Sequence, residues 1–354
     1  MTGGTRYARL ITVVLLVVYA PSTQAVAQLK PQISGTTAQL RGVSVVSASV
    51  AWASGSGGTF LRTTNAGKSW SARTVPGASE LDFRDIEAMD AKTAYLLATA
   101  GKIYKTTDGG ENWALQYNNT APGVFLDAFA FWDAQHGIAL GDPIDGRFLI
   151  LTTADGGKNW NQVGASSIPP SIEGEAAFAA SGTCIQVGGK RNAWFGTGGR
   201  AARVFRSTDQ GVSWKVSPTP VTSGADSTGI FSIAFRSARH GIVVGGDYKK
   251  PDEANANAAL TTDGGVTWSP IVSRPGGFRS AVAFVPGTAK LIAVGQKGSD
   301  YSTNDGADWK PLSKDGYHSV SFARSGDGWV VGADGRIAKI KSRINDKWQI
   351  LQVL

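Results

Sequence analysis

The chain has 354 residues, of which 45 are glycine, 11 tryptophan and 42% apolar, with a formal charge of +8. That length can bury a sizeable core, and the dispersal of Lys and Arg excludes a nucleic-acid-binding arm. The only cysteine, Cys184, excludes an internal disulfide and reads as a core residue in the apolar run GTCIQVGG.

At the N-terminus, Arg6 and Arg9 precede the apolar run LITVVLLVVYA, and Ala25-Val26-Ala27 offers a small-residue cleavage site before Gln28. Residues 1–27 therefore read as a secretory signal peptide, so a secreted or periplasmic location is expected. No later segment approaches eighteen uncharged apolar residues, so no membrane span is expected after cleavage. Without residues 1–27, which hold two arginines and no acid, 33 basic residues face 27 acidic ones. That mild tilt fits an acidic partner or an anionic ligand.

Residues 28–354 are organised by repetition. Six octapeptides share one pattern: TTNAGKSW (63–70), TTDGGENW (106–113), TADGGKNW (153–160), STDQGVSW (207–214), TTDGGVTW (261–268) and STNDGADW (302–309). Their tryptophans are 43, 47, 54, 54 and 41 residues apart, and Trp348 follows a degenerate seventh copy 39 residues further on. Each unit carries four short β-type runs bounded by turn residues and has no helical period. The expected fold is all-β: a seven-bladed β-propeller of four-stranded antiparallel blades. The blades are placed near 38–76, 81–119, 124–167, 172–220, 228–273, 277–313 and 316–354.

The octapeptide is placed at the turn between the third and fourth strands of a blade. Asp108, Asp155, Asp209 and Asp263 accept backbone N–H groups there, and glycine supplies the backbone freedom the turn needs. Asn65 and Asn304 replace the aspartate in two copies, keeping the acceptor and losing the charge. Chemistry that needs an anion does not survive that exchange, whereas a turn does. These residues are therefore read as structural.

The pattern [ST]-x-D-x-G-x-x-W resembles the Asp-box, or BNR, repeat. It occurs in sialidases, in xyloglucan-cleaving glycosidases and in seven-bladed photosystem II stability and assembly factors of the Ycf48 type. Seven repeats and a signal-like start make the last family the nearest resemblance. It implies a non-catalytic propeller that holds a client protein segment on a basic patch.

If strands run outward in order, the starts of the innermost strands and the loops after the second strands share the end of the ring opposite the boxes. The second positions of those starts are Arg41, Arg84, Leu126, Glu175, Phe231, Arg279 and His318, and the next column includes Asp85, Asp127, Ser232 and Ser280. The loops add Asp142, Arg147, Arg203, Asp247, Tyr248 and Lys249, and the 245–259 insertion is a candidate lid. Arginine suits carboxylate or phosphate because its planar fork donates to two oxygens at once. Arg41, Arg84 and Arg279 are thus expected to form an anion-binding mouth, and their replacement by alanine to abolish partner binding with little loss of stability.

Glycoside hydrolysis on the same face is the alternative, with Asp127 and Glu175 as the two carboxylates. Against it, the F/Y-R-I-P opening of sialidases is absent and the chain has room for one propeller only. His136, His240 and His318 lack metal-ligand spacing, and no nucleophile elbow, phosphate loop or dinucleotide fingerprint is present. The expectation is a monomer without metal or cofactor, binding a protein segment or an anionic small ligand.

Overall fold

The structure is a computed structural model that describes residues 28–341. The expected signal segment and Trp348 lie outside these residues. The β-type runs form seven antiparallel sheets arranged as a seven-bladed propeller. The first blade is typical, with strands Leu40–Val45, Ala51–Gly55, Thr59–Thr63 and Ser71–Thr74 in sequence order from the axis outward.

The core is divided rather than single. Seven apolar clusters lie in the seven seams between neighbouring blades, including the seam between the last blade and the first. Second strands such as Ala51–Gly55 and Ala94–Ala98 are buried at every position because both faces of a blade are covered. Box tryptophans also pack across seams: Trp113 meets Trp52 and Phe60 of the preceding blade edge-on, at centroid distances of 6.4 and 5.1 Å. Cys184 is fully buried in the seam between the third and fourth blades.

The ring is closed by its own N-terminal strand. Gln28–Gln32 pairs antiparallel with Ile337–Lys341 and forms the outer edge of the last blade. Gln32 fastens the joint, since its Oε1 accepts the indole N–H groups of Trp70 (3.0 Å) and Trp329 (2.9 Å).

One blade departs from the expected register. Residues 174–180 were expected to be the innermost strand of the fourth blade, but that strand is Ile185–Gly188. Glu175–Ala176 instead pairs with Gly198–Gly199, which joins the sheet of the fifth blade. The chain from Ala176 to Thr183 then crosses the axis. Ala179 O accepts from Arg84, and Ala177 N–H donates to Asp142. Thr183 O accepts the amide of Ile233, Ser181 Oγ donates to Ser280 O, and Ser319 Oγ donates to Ser181 O. These partners come from the second, third, fifth, sixth and seventh blades, and only a segment on the axis can reach them all. Small side chains permit the crossing. Gly182 has a positive φ of 74° and lies against Asp85 so closely that a Cβ would overlap its carboxylate.

Candidate functional site

The boxes form one end of the ring. At Thr106–Trp113, the Thr106 hydroxyl donates to Asp108 Oδ1 (2.8 Å) and accepts from Gly110 N–H (3.0 Å). Asp108 accepts the backbone and side-chain N–H groups of Asn112 at 3.0 and 2.8 Å, which lowers its pKa to about 2. Gly110 sits at φ 87°, where a Cβ would lie 2.5 Å from the Phe60 ring. The two asparagine copies keep the same loop with the outer bond reversed: Asn65 and Asn304 donate their side-chain N–H to Ser69 and Asp308, both at 2.8 Å. The threonine or serine at the first box position is the hinge of this network.

The opposite end holds a cavity of about 430 Å³, floored by Ala176–Ala180. A second space of about 230 Å³, lined by Glu87, Ser181, Gly182 and Gln186, lies beyond the crossing segment. The mouth is therefore blind, not the end of an open channel.

Residues reach the mouth through β-bulges at the starts of the innermost strands. Pairing slips by one residue at Arg41, Arg84, Asp127 and Phe231, and each of these extra residues lines the cavity. In the third blade the bulged residue is Asp127, not Leu126, which is fully buried in the seam. In the sixth blade Ser280 lines the cavity. Arg279, one residue earlier, points away and is buried against Asp300, with Nε donating at 2.6 Å and a second nitrogen at 2.5 Å. Neighbouring residues on an extended chain face opposite sides, so the one-residue difference takes Arg279 out of the expected arginine cluster.

Arg41, Arg84, Asp127, Asp142, Tyr248 and His318 meet at the cavity, whereas Arg147, Glu175, Arg203, Asp247 and Arg279 do not line it. Glu175 is buried and accepts from Arg203 at both oxygens (2.9 and 2.5 Å) and from Thr197 Oγ1 (2.5 Å). It shares no cleft with Asp127, which removes the expected carboxylate pair. Asp247 is occupied within its own turn by Lys249 N–H. The 245–259 loop is not a free lid: Phe278 N–H donates to Pro251 O and Thr222 N–H to Ala256 O, so the segments that enter the sixth and fifth blades hold it.

The electrostatics are uneven. Arg84 donates to Asp82 (2.6 Å) and to Ala179 O (3.0 Å). Arg41 has a buried Nε without a hydrogen-bond partner, and burial, followed by the charge of Arg84, lowers its pKa. The Nδ1–H of His318 donates to Leu40 O (3.0 Å), while burial and then Arg41 push its pKa down to about 4. The ring is therefore neutral at pH 7 and keeps Nε2 as an acceptor. Asp127 is fully buried with neither oxygen closely hydrogen-bonded; burial followed by the nearby Asp142 raises its pKa well above the ordinary value, partly opposed by the Ala179 N–H and Arg84.

The remaining wall is aromatic. Phe178 stacks on Phe231 (3.9 Å, 5°), and Phe278 meets Phe231 edge-on at 4.7 Å. Tyr248 stands 6.0 Å from Phe231. Of this wall only Tyr248 is expected from the sequence, because phenylalanine at strand starts reads as core. The signal was present, since Phe125, Phe231 and Phe278 all recur at or beside those starts.

Fold and site together define a seven-bladed, box-repeat propeller with a blind mouth that carries both charges. Within that class the chain resembles the photosystem II assembly factors, for residues 30–128 match the family model described as Photosynthesis system II assembly factor YCF48. The solved structure of YCF48 bound to a D1 peptide superposes with a TM-score of 0.64 at 14% identity, covering 92% of this chain and 100% of that one. YCF48 from Cyanidioschyzon merolae gives 0.63 at 17% identity, covering 89% and 98%. The GH74 xyloglucanase from Xanthomonas campestris gives 0.59 at 17% identity, covering 88% of this chain and 53% of that one. At these identities the structural likeness is one of fold, and a propeller fold serves many functions. No curated protein matches the chain.

Proposed function

We propose that the protein is an exported, non-catalytic binding propeller of the assembly-factor kind, which receives an acidic segment of a partner protein at the blind mouth. The observation that carries this reading is Arg41. Its guanidinium lines the cavity beside Arg84 with Nε unpartnered, whereas Arg203 and Arg279 are each matched to a buried carboxylate. A carboxylate from a ligand supplies the missing acceptor and offsets the repulsion between Arg41 and Arg84. The peptide-bound relative supports a protein segment as the occupant. Export rests on the signal-like N-terminus, and no helix among the described residues is long and apolar enough to cross a membrane.

The test is a titration of the purified protein with capped peptides holding one phenylalanine flanked by glutamates, against the same peptides with glutamine. The acidic peptides should bind about 10-fold or more tightly, and Arg41→Ala should abolish the difference. Equal binding of the two series, or a preference that survives Arg41→Ala, overturns the proposal.

A further inference from the structure

We infer that the Asp127–Asp142 side of the same mouth is a cation subsite for a protonated amine or guanidinium carried next to an aromatic group. This rests on the reading of the mouth as a receptor for a partner segment, and adds that the segment presents a base as well as an acid.

Asp127 lines the cavity, has no exposed surface and has no close hydrogen bond on either oxygen, the Ala179 N–H and Arg84 being the only groups that oppose its raised pKa. Asp142, half-buried beside it, accepts Ala177 N–H at one oxygen, and no described residue donates to the other. Among the described residues neither carboxylate belongs to an ion pair. The nearby cation Arg84 is already engaged by Asp82 and Ala179 O. Two neighbouring carboxyls, one fully and one half buried, are costly to ionise together, and burial raises the pKa of both. A cation meeting Asp142 first and Asp127 behind it removes that cost.

The neighbouring wall defines what carries the cation. Ala177, whose N–H holds Asp142, is followed directly by Phe178, whose ring stacks flat on Phe231. An aromatic stem can lie on that wall while its basic nitrogen reaches the carboxyls, and ring faces themselves attract cations. No group of three or more His, Cys, Asp or Glu among the described residues is placed to hold a metal ion. Two carboxylates fall short of the six or more oxygens that a hard cation takes, so an organic cation suits the site better.

Three small probes that share a phenylethyl stem separate the two halves of the mouth: phenethylamine is cationic, hydrocinnamate anionic and hydrocinnamamide neutral. In chemical-shift titrations at neutral pH, phenethylamine should bind about 10-fold or more tightly than hydrocinnamamide. The isosteric Asp142→Asn and Asp127→Asn variants should each cut that gain without weakening hydrocinnamate binding. Equal binding of amine and amide, or a gain that survives both substitutions, overturns the cation subsite. The anion reading fails separately, if hydrocinnamate binds no better than the amide or keeps its advantage in Arg41→Ala.

Discussion

The two ends of the ring are made by the same strands and built on opposite principles. At the box end each turn makes its side-chain network within eight residues and adds one backbone bond to the other turn of its own blade, so six copies repeat one pattern even where asparagine replaces aspartate. At the mouth, residues at one bulge position do different things. Arg41 lacks an anion, Arg84 has Asp82, Asp127 has no ion pair and no close hydrogen bond, and Phe231 stacks on the crossing segment. Short-range bonds preserve architecture through repetition, whereas individuality accumulates where seven blades face a common axis.

Replacements that break the buried struts behind the mouth should have the largest effect. Arg279→Ala strands Asp300, Arg203→Ala strands Glu175, and each should cost about 3–5 kcal/mol in urea unfolding. Arg41→Ala, which loses no hydrogen bond at Nε, should cost less than about 1 kcal/mol. This revises the expectation that Arg279 can be removed cheaply. Equal losses for Arg41 and Arg279 would erase the distinction between binding residues and struts.

Next in size is a contrast in pH dependence. His318 at the mouth has a folded pKa of about 4 against an ordinary 6.5, so between these values the unfolded chain binds more protons and stability falls as pH falls. Glu87, beyond the crossing segment, is raised by burial to about 7 from 4.5. There the folded chain binds more protons, and stability falls as pH rises through that window. Each effect is worth up to roughly 3 kcal/mol. In unfolding titrations His318→Gln should remove the acid-side loss and Glu87→Gln the opposing one. A profile unchanged by either substitution would count against both assignments.

Smaller effects belong to the box end. Thr106→Val leaves the Gly110 N–H without an acceptor and should cost about 1–3 kcal/mol, with Thr153→Val behaving alike because its network is a copy. Asp108→Asn should be the mildest, because Asn65 and Asn304 already fill that place. A thermal shift for Asp108→Asn larger than for Thr106→Val would reverse the roles drawn for the two side chains.

The ring, its boxes and the polarity of its two ends were legible because a period of about 40 to 50 residues with strand alternation has few solutions. Arg41, Arg84, Asp127, Asp142, Tyr248 and His318 were legible as mouth residues from strand direction and loop position. The bulge that selects Asp127 over Leu126 was not, nor was the one-residue offset that buries Arg279. A backbone slip of one residue reverses facing without changing the hydrophobic pattern.

The N-terminal closure and the crossing segment were hidden for a related reason. GEAAFAA has the alternation of an innermost strand, and nothing local distinguishes it from one. Its place on the axis follows from partners on five other blades, between 35 and 138 residues away in sequence where side chains make the bonds. The sequence alone determined the repeating unit, because its bonds lie within the octapeptide or within a single blade and need no other blade. Only the tertiary structure decided that the mouth is blind, aromatic on one side and charged on the other, because those properties belong to contacts between blades.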